Sequence, residues 1–394
     1  MIRQIETDSI YLDHAATTPV DPGVLRAMAP WFTEYFGNPS SIYQLGQQSR
    51  AALDTARAQC AAVLHCHPSE ILFTSWATES NNLALAGAIW GWQKRNPDGP
   101  AAHIVTTAVE HHAVLHKAEW LASIGFGLTV VPVDEHGVVD PAEIEAAILP
   151  ETALVSVMYA NNETGAIQPI AEIAAIARQH GVPLHTDAVQ APGLVPLDVG
   201  VLGVDLLALS AHKFYGPKGV GLLYVRRGTL LDWQQLGGSQ ESGRRGGTEN
   251  VPLIVGMGAA LTLAEGDRSE YTVACRQLRD RLYEEISERV EGVKLNGPAL
   301  GDGRLANNLN LTIEDVQGET VLLNLDMAGI AASAGSACTT GNSQPSHVLK
   351  AMGFSDDRCR TSIRLTVGRC NDADQINEAA ESLADAVLRI RQLA

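Results

Sequence analysis

Leu206-Leu207-Ala208-Leu209-Ser210-Ala211-His212-Lys213-Phe214-Tyr215-Gly216-Pro217-Lys218-Gly219 decides how this chain reads. It opens as a short apolar run, the pattern of a strand buried in a sheet. It closes in Gly and Pro, so the chain leaves that strand through a tight loop. A hydroxyl, an imidazole and an amine fall together at the junction, as Ser210, His212 and Lys213. A lysine held just past a buried strand is partly desolvated, which makes its amine nucleophilic enough for Schiff-base chemistry. For an isolated lysine, a surface residue opening a turn is the simpler account. The rest of the chain decides against that account.

Upstream and downstream of this run, strands and helices alternate regularly from about 103 to 225. Strands are predicted at 103–106, 129–132, 154–159, 183–186, 206–210 and 221–225, with helices between most of them, such as 113–123, 141–148 and 170–180. A further buried strand is read at 71–73, a helix over 47–64, and another over 83–92 after the polar loop 74–82. This rhythm predicts an α/β fold with a mostly parallel seven-stranded sheet, helices on both faces, and ligands at the C-terminal strand ends. Polar residues gather at those ends: Glu110-His111-His112, Asn161 to Thr164, Asp187 with Gln190, and Ser210 to Lys213. Past 265 the pattern changes to a smaller α+β unit. It contains a charged helix (268–290) read as a solvated connector, strands near 307–313, 329–332 and 362–367, and a closing helix to 392. The predicted division is a large domain, 17–264, and a small one, 1–16 with 265–394.

Composition narrows the function. The 394 residues carry a formal net charge of −17, with 45% hydrophobic residues. That field repels phosphate backbones, and no basic tract with interleaved aromatics offsets it, so nucleic acid is not an expected partner. No N-terminal signal-like segment is present, and the longest apolar runs fall short of the roughly 20 residues of a membrane span. A soluble, cytoplasmic protein is expected. The six cysteines, at 60, 66, 275, 338, 359 and 370, contain no C-x-x-C and read as free thiols.

A Schiff-base lysine needs a carbonyl partner, and pyridoxal 5'-phosphate is the common protein-bound one. Its ring nitrogen calls for a carboxylate, and Asp187 ends a strand at the right place. Its phosphate calls for N–H and hydroxyl donors at a helix start, which Ala77, Thr78, Ser210 and His212 supply. His111 offers a flat partner for the ring. Arg364, on the last strand, offers a fork for a substrate carboxylate. Taken singly, each has a blander account, a Ser/Thr helix cap at 74–82 or a structural ion pair at Arg364; the set favours the ligand roles. Cys338 lies in Ala334-Gly335-Ser336-Ala337-Cys338-Thr339-Thr340-Gly341-Asn342-Ser343, a run that cannot build a core. A thiol there is better explained as a nucleophile than as packing.

The chain resembles the cysteine desulfurases of the NifS/IscS type, in the class V aminotransferase group of fold-type-I pyridoxal phosphate enzymes. The resemblance rests on Tyr-Leu-Asp-His-Ala-Ala-Thr-Thr-Pro (11–19), Phe-Gly-Asn-Pro-Ser-Ser (36–41), Ala-Thr-Glu-Ser-Asn-Asn (77–82) and Glu-His-His-Ala-Val (110–114). It continues through Ala-Asn-Asn-Glu-Thr-Gly (160–165), His-Thr-Asp-Ala-Val-Gln (185–190) and Ser-Ala-His-Lys-Phe-Tyr-Gly-Pro-Lys-Gly (210–219). Gly-Arg-Arg-Gly-Gly-Thr-Glu-Asn (243–250), Ala-Gly-Ser-Ala-Cys-Thr (334–339) and Ser-Ile-Arg-Leu-Thr-Val-Gly-Arg (362–369) complete it. It implies Lys213 as the Schiff-base lysine, His111 stacked on the cofactor ring and moving protons, Asp187 at the ring nitrogen, and Asn162 and Gln190 near the cofactor hydroxyl. Arg364 and Asn38 are expected at the substrate, and Thr248 at the phosphate of a neighbouring subunit in a homodimer. Cys338 becomes the sulfur acceptor: L-cysteine gives L-alanine and an enzyme persulfide, which a sulfur-acceptor or iron–sulfur scaffold protein receives. Through that persulfide Cys338 is also an expected ligand of a nascent iron–sulfur cluster. Trp76 stands where the family usually has a small residue.

Other readings are weighed against this. A selenocysteine lyase or an aminotransferase of the same fold has no call for Cys338 in its loop. A non-catalytic sulfur carrier or scaffold has no use for Lys213, Asp187 and Arg364 together. The Cys60, His65, Cys66, His67 cluster has its ligands too close in sequence to reach one ion, and no intrinsic metal is expected. His112 beside His111 is read as incidental. Gly216-x-x-Gly219-x-Gly221 is interrupted by Pro and Lys and followed by a strand, so no dinucleotide site is expected.

Overall fold

A computed structural model describes residues 9–334 and 345–393. Its strands are β1 (Ile10–Tyr11), β2 (Ile71–Thr74), β3 (His103–Thr107), β4 (Gly127–Val131), β5 (Thr152–Ser156), β6 (Leu184–Asp187), β7 (Leu206–Ser210), β8 (Gly221–Val225), β9 (Val293–Leu295), β10 (Asn308–Ile313), β11 (Ile330–Ala331) and β12 (Ser362–Thr366). Seven of them form one sheet in the order β2-β8-β7-β6-β5-β3-β4. The pairs among β3 to β7 are parallel, whereas β8 runs antiparallel to both β7 and β2. The connection 211–220 is too short to cross over a sheet face, so β8 can only return beside β7 in the opposite sense.

Period-2 alternation sends the two faces of each strand into different cores. Leu207 and Leu209 join Phe73, Val105 and Val155 against the helices Gln44–Leu64 and Val251–Gly266. Leu206, Ile104 and Leu154 pack the other way, against Ala77–Arg95 and His112–Ser123. Every residue of β7 is buried, and truncating a leucine such as Leu209 to alanine in such a core costs about 2–5 kcal/mol. The neighbour order changes direction at β3, which has β4 on one side and β5 on the other. That is a switch point, and a crevice opens at the C-terminal ends of these strands.

The second core gathers Ile10, Leu12, Tyr271, Leu282, Leu311, Ile363 and Leu383. In it β10 pairs antiparallel with β9 and β12, and β1 pairs parallel with β11. Residues from both ends of the chain thus share one core.

Several boundaries differ from expectation. The helix predicted at 83–92 begins at Ala77 and runs to Arg95. The run Thr-Glu-Ser-Asn-Asn lacks apolar periodicity, yet Glu79 in the first turn suits the positive helix end, and the predicted polar loop is therefore mostly helix. The strand predicted at 154–159 starts at Thr152 and ends at Ser156. The supposed solvated connector, Arg268–Arg289, buries Tyr271, Cys275, Arg279, Leu282 and Ile286 and belongs to the second core. Strand β9 has no counterpart in the sequence reading. Among the described residues no helix is long and apolar enough to cross a membrane.

Candidate active site

The C-terminal ends of β3, β5, β6 and β7 and the start of the helix Ala77–Arg95 enclose a cavity of about 370 Å³. Ala77, Thr78, His111, Asn162, Asp187, Gln190, Ser210, His212, Lys213 and Arg364 all line it. Residues spread over nearly 290 positions of sequence are therefore brought to one place. A wider groove of about 730 Å³ lies at the opposite strand ends, lined by Arg178, Asp205 and Arg226 among others; it gathers none of the predicted residues.

Lys213 closes the short 3₁₀ turn after β7. Its Nζ donates to Ala15 O at 2.6 Å and to Ala16 O at 2.8 Å. Asp187, 5% exposed at the end of β6, accepts from Asn81 Nδ2 at 2.6 Å and from the Val189 N–H at 3.0 Å. A carboxylate fixed on both sides in this way is oriented before any ligand arrives. Arg364 is 1% exposed; its Nη2 pairs with Asp13 Oδ1 at 2.7 Å, and its Nη1 donates to Asn162 O at 2.9 Å. Gln190 Nε2 donates to Ala15 O at 3.0 Å.

His111 is the N-cap of the helix His112–Ser123, its Nδ1 accepting from the Ala113 N–H at 3.0 Å. Burial lowers its pKa, and the nearby Lys213 adds to this while Asp187 opposes it. The capping bond assigns the N–H of the neutral ring to Nε2. His212 is pushed down to about 4, by burial first and then by Lys213 and Lys218.

Trp76 is the N-cap of the helix Ala77–Arg95 but gives it no side-chain cap. Its edge meets His212 at 6.5 Å between ring centroids, and it lines the cavity while staying 45% exposed. The first N–H groups of that helix thus face the cavity without a capping side chain, at the positive end of a 19-residue dipole. A Cβ on Gly221 would sit 2.5 Å from the Trp76 carbonyl carbon, so the approach of β8 to this corner requires glycine. Uncapped amides with two nearby side-chain donors, a fixed carboxylate, a half-buried imidazole and an amine are the donor set that pyridoxal 5'-phosphate needs. These residues fit that group.

Two expectations meet a different outcome. Asn38 is exposed and does not line the cavity; its Oδ1 instead accepts from the Ser40 N–H at 2.9 Å, capping its own turn. His112, read as incidental, does line it, stacked on His116 at 4.4 Å and beside His347 at 4.5 Å. Thr248 is exposed and outside this chain's own cavity. Cys338 lies outside the described residues. Among those described, Cys60, Cys66, Cys275, Cys359 and Cys370 are unpaired thiols.

Sequence reasoning gave no role to Asn81, the partner of Asp187, nor to two buried carboxyls it had placed at the strand ends, Glu163 in the cavity lining and Glu110 behind it. Glu163 accepts from Ser346 Oγ, and burial raises its pKa. Glu110 accepts at Oε1 from Thr107 Oγ1 at 2.8 Å and from the Met158 N–H at 2.7 Å, and burial pushes it up to about 8. The signal for Asn81 was present: it stands one helical turn past Ala77.

Glu110 carries a stability prediction. The unfolded carboxyl releases its proton near pH 4.5 and the folded one only near 8. Between these values the folded state binds more protons, so stability falls as pH rises. Glu110→Gln keeps the acceptor for Met158 and removes the titration. Relative to wild type, the variant is expected to gain little at pH 4.5 and on the order of 4–5 kcal/mol at pH 8.5. Urea unfolding across this range checks it; a gain that does not grow with pH overturns it.

Comparison with known proteins agrees with this geometry. The aminotransferase class-V family model matches residues 10–378. A curated cysteine desulfurase IscS of Methanosarcina thermophila is 46% identical over 388 residues, covering 98% of this chain and 94% of the relative. A solved NifS-like protein superposes with a TM-score of 0.89 at 35% identity, covering 97% of this chain and all of that one. A second structure, SspA in complex with cysteine, superposes at 0.80 with 37% identity, covering 92% of this chain and all of its own. This chain belongs to the class-V aminotransferase family, pyridoxal phosphate enzymes, on its NifS/IscS-type cysteine desulfurase branch.

Proposed function

We propose that this protein is a cysteine desulfurase that converts L-cysteine to L-alanine and passes the sulfur to its own Cys338. The observation that carries this is the convergence of Lys213, Asp187, His111 and Arg364 with uncapped helix amides in one cavity. Relatives that span the chain bear that name. Pyridoxal phosphate, when bound, supplies the electron sink that weakens first the Cα–H and then the Cβ–S bond of the substrate.

The chain's own residues do the remainder. Ala77 and Thr78 would hold the phosphate through N–H groups, with Ser210 and His212 beside them. Asp187 would keep the ring nitrogen protonated, and Asn162 and Gln190 would serve the ring hydroxyl. Lys213 would carry the cofactor on Nζ, and that amine, when free, would take the substrate Cα proton. Arg364 would receive the substrate carboxylate. His111 would cover the ring and move the proton of the departing sulfur, with burial favouring its neutral form. The Cys338 thiolate attacks the substrate sulfur; an S–S bond forms, the Cβ–S bond breaks, and its electron pair stays on Cβ, which is protonated to complete alanine.

Thr248, exposed on its own chain, is assigned to the phosphate of a partner subunit in a homodimer, with the exposed Phe36 and Ile42 suited to burial there. The two-domain division at 17–264 and 1–16 with 265–394 is supported by the separation of the first core from the second, which draws only Tyr215 from the buried residues of 17–264. The persulfide is handed to a sulfur-acceptor or iron–sulfur scaffold protein, with Cys338 able to ligate a nascent cluster through it. Unpaired thiols suit the cytoplasm.

The test is product analysis with L-cysteine and dithiothreitol. Equal amounts of alanine and sulfide support the proposal. Release of selenide from L-selenocysteine without sulfide from L-cysteine would make the protein a selenocysteine lyase instead.

A further inference from the structure

The segment Asp13-His14-Ala15-Ala16 touches both working ends of the cavity at once. It lies beside β12, the strand that carries Arg364. Asp13 bridges Thr366 in parallel, the Thr366 N–H donates to Leu12 O at 2.7 Å, and the Ala15 N–H donates to Thr366 Oγ1 at 2.9 Å. From this track Asp13 reaches Arg364, with an Oδ1 to Nη2 distance of 2.7 Å and side-chain exposures of 18% and 2%. Ala15 O and Ala16 O, two and three residues on, accept from Lys213 Nζ.

His14, between them, holds the turn that follows Lys213. Its Nδ1 lies 3.2 Å from the Tyr215 hydroxyl. Tyr215 has φ +64°, a left-handed value that costs a tyrosine energy and persists only where surroundings enforce it. The enforcement is visible. The Tyr215 N–H donates to Thr18 Oγ1 at 2.7 Å, its hydroxyl accepts from the Arg369 N–H at 2.7 Å, and the Arg369 guanidinium lies 5.0 Å over its ring. A Cβ on Gly368 would overlap both the His14 ring and the Tyr215 hydroxyl, so β12 leaves through a glycine.

We propose that Asp13–Ala16 is a bracket that couples recognition of the substrate carboxylate to the placement of the lysine amine. Asp13 is a positioning residue: it fixes the planar Arg364 fork, together with Asn162 O, before substrate arrives. The rotamer freedom of a long arginine is then lost on folding and not on binding. The Ala15 and Ala16 carbonyls are the berth of the Lys213 amine whenever it is not bonded to cofactor, which keeps the displaced amine beside the substrate. Because one short backbone run carries both contacts, a carboxylate seated on Arg364 acts on the lysine through it. This rests on the roles given to Arg364 and Lys213 above.

The test uses the dimeric or monomeric holoenzyme as purified. Asp13→Ala is expected to raise KM for L-cysteine about tenfold with kcat changed less than about threefold, as loss of a charge-assisted orienting bond does. Asp13→Asn, which keeps the acceptor oxygen, is expected to bring KM back to within about threefold of wild type. A second readout is independent of turnover. Saturating propionate, a carboxylate without an amine, is expected to shift the pH midpoint of the cofactor's visible absorption in wild type, and Asp13→Ala is expected to at least halve that shift. An unchanged or lowered KM in Asp13→Ala, no rescue by Asp13→Asn, or an undiminished propionate shift overturns the bracket. Arg364→Ala separates the two levels: a KM rise of about a hundredfold upholds the carboxylate site, and no rise removes it and the bracket together.

Discussion

Lys213→Ala is expected to lower L-cysteine turnover by a factor on the order of 10⁴ or more, since one amine serves as both attachment point and base. The cofactor is not expected to leave. Ala77, Thr78 and Asp187 remain in the cavity lining, and the non-covalent contacts assigned to them are untouched. The variant should therefore hold pyridoxal phosphate whose absorption is that of the free aldehyde. Borohydride, which fixes the cofactor to wild type, should fix none to the variant. If borohydride still attaches the cofactor, another amine is the partner, and the reading that begins at Ser210-Ala211-His212-Lys213 fails. Lys218, exposed five residues on, is the control: Lys218→Ala should behave as wild type.

Cys338→Ala is expected to behave differently. Sulfide release should fall by a factor on the order of 10² to 10³, while cofactor binding and the spectral response to L-cysteine persist. The physical reason is the division of labour proposed above, in which Lys213 and Arg364 are assigned to substrate binding and activation and only the sulfur step needs the thiol. The flanks of the Cys338 segment are both tied to the cavity wall. Ser333 pairs with the Arg364 backbone, while Ser346 Oγ donates to Glu163 and His347 Nε2 to Glu110 O. Full sulfide release by Cys338→Ala would mean that sulfur leaves by a route with no enzyme persulfide.

The sheet was legible because β7 and β8 are apolar runs bounded by turn residues and recur in a regular strand–helix rhythm, a signal carried locally. Lys213 stands just past the first of these runs, while Asp187 and His111 follow the more polar β6 and β3 and were found by their place in that rhythm. Three things were not legible. The helix start at Ala77 hid in a polar run, because its stability comes from packing of Leu83, Leu85 and Ile89 and not from its first turn. Arg268–Arg289 looked solvated because its charges outnumber its apolar residues, though five side chains are buried. Asp13 drew no role from the sequence, since its partner Arg364 lies 351 positions away. Asn38 was carried by motif alone, and its side chain serves the turn it sits in.

The pairing of Asp13 with β12 has a consequence for how the protein is born. At about 5–20 residues per second, a ribosome that has made Asp13 needs roughly 20–70 s to reach Arg364, and longer to release it. Until then Ala15 has no Thr366 to bond and the cavity has no floor. The large sheet, complete by Val225, and the residues assigned to this chain's own cofactor, complete by Lys213, can assemble while synthesis continues. A nascent chain stalled before residue 362 has no Arg364 and should be unable to seat a substrate carboxylate. Completion of the carboxylate site in this architecture waits for the last stretch of synthesis.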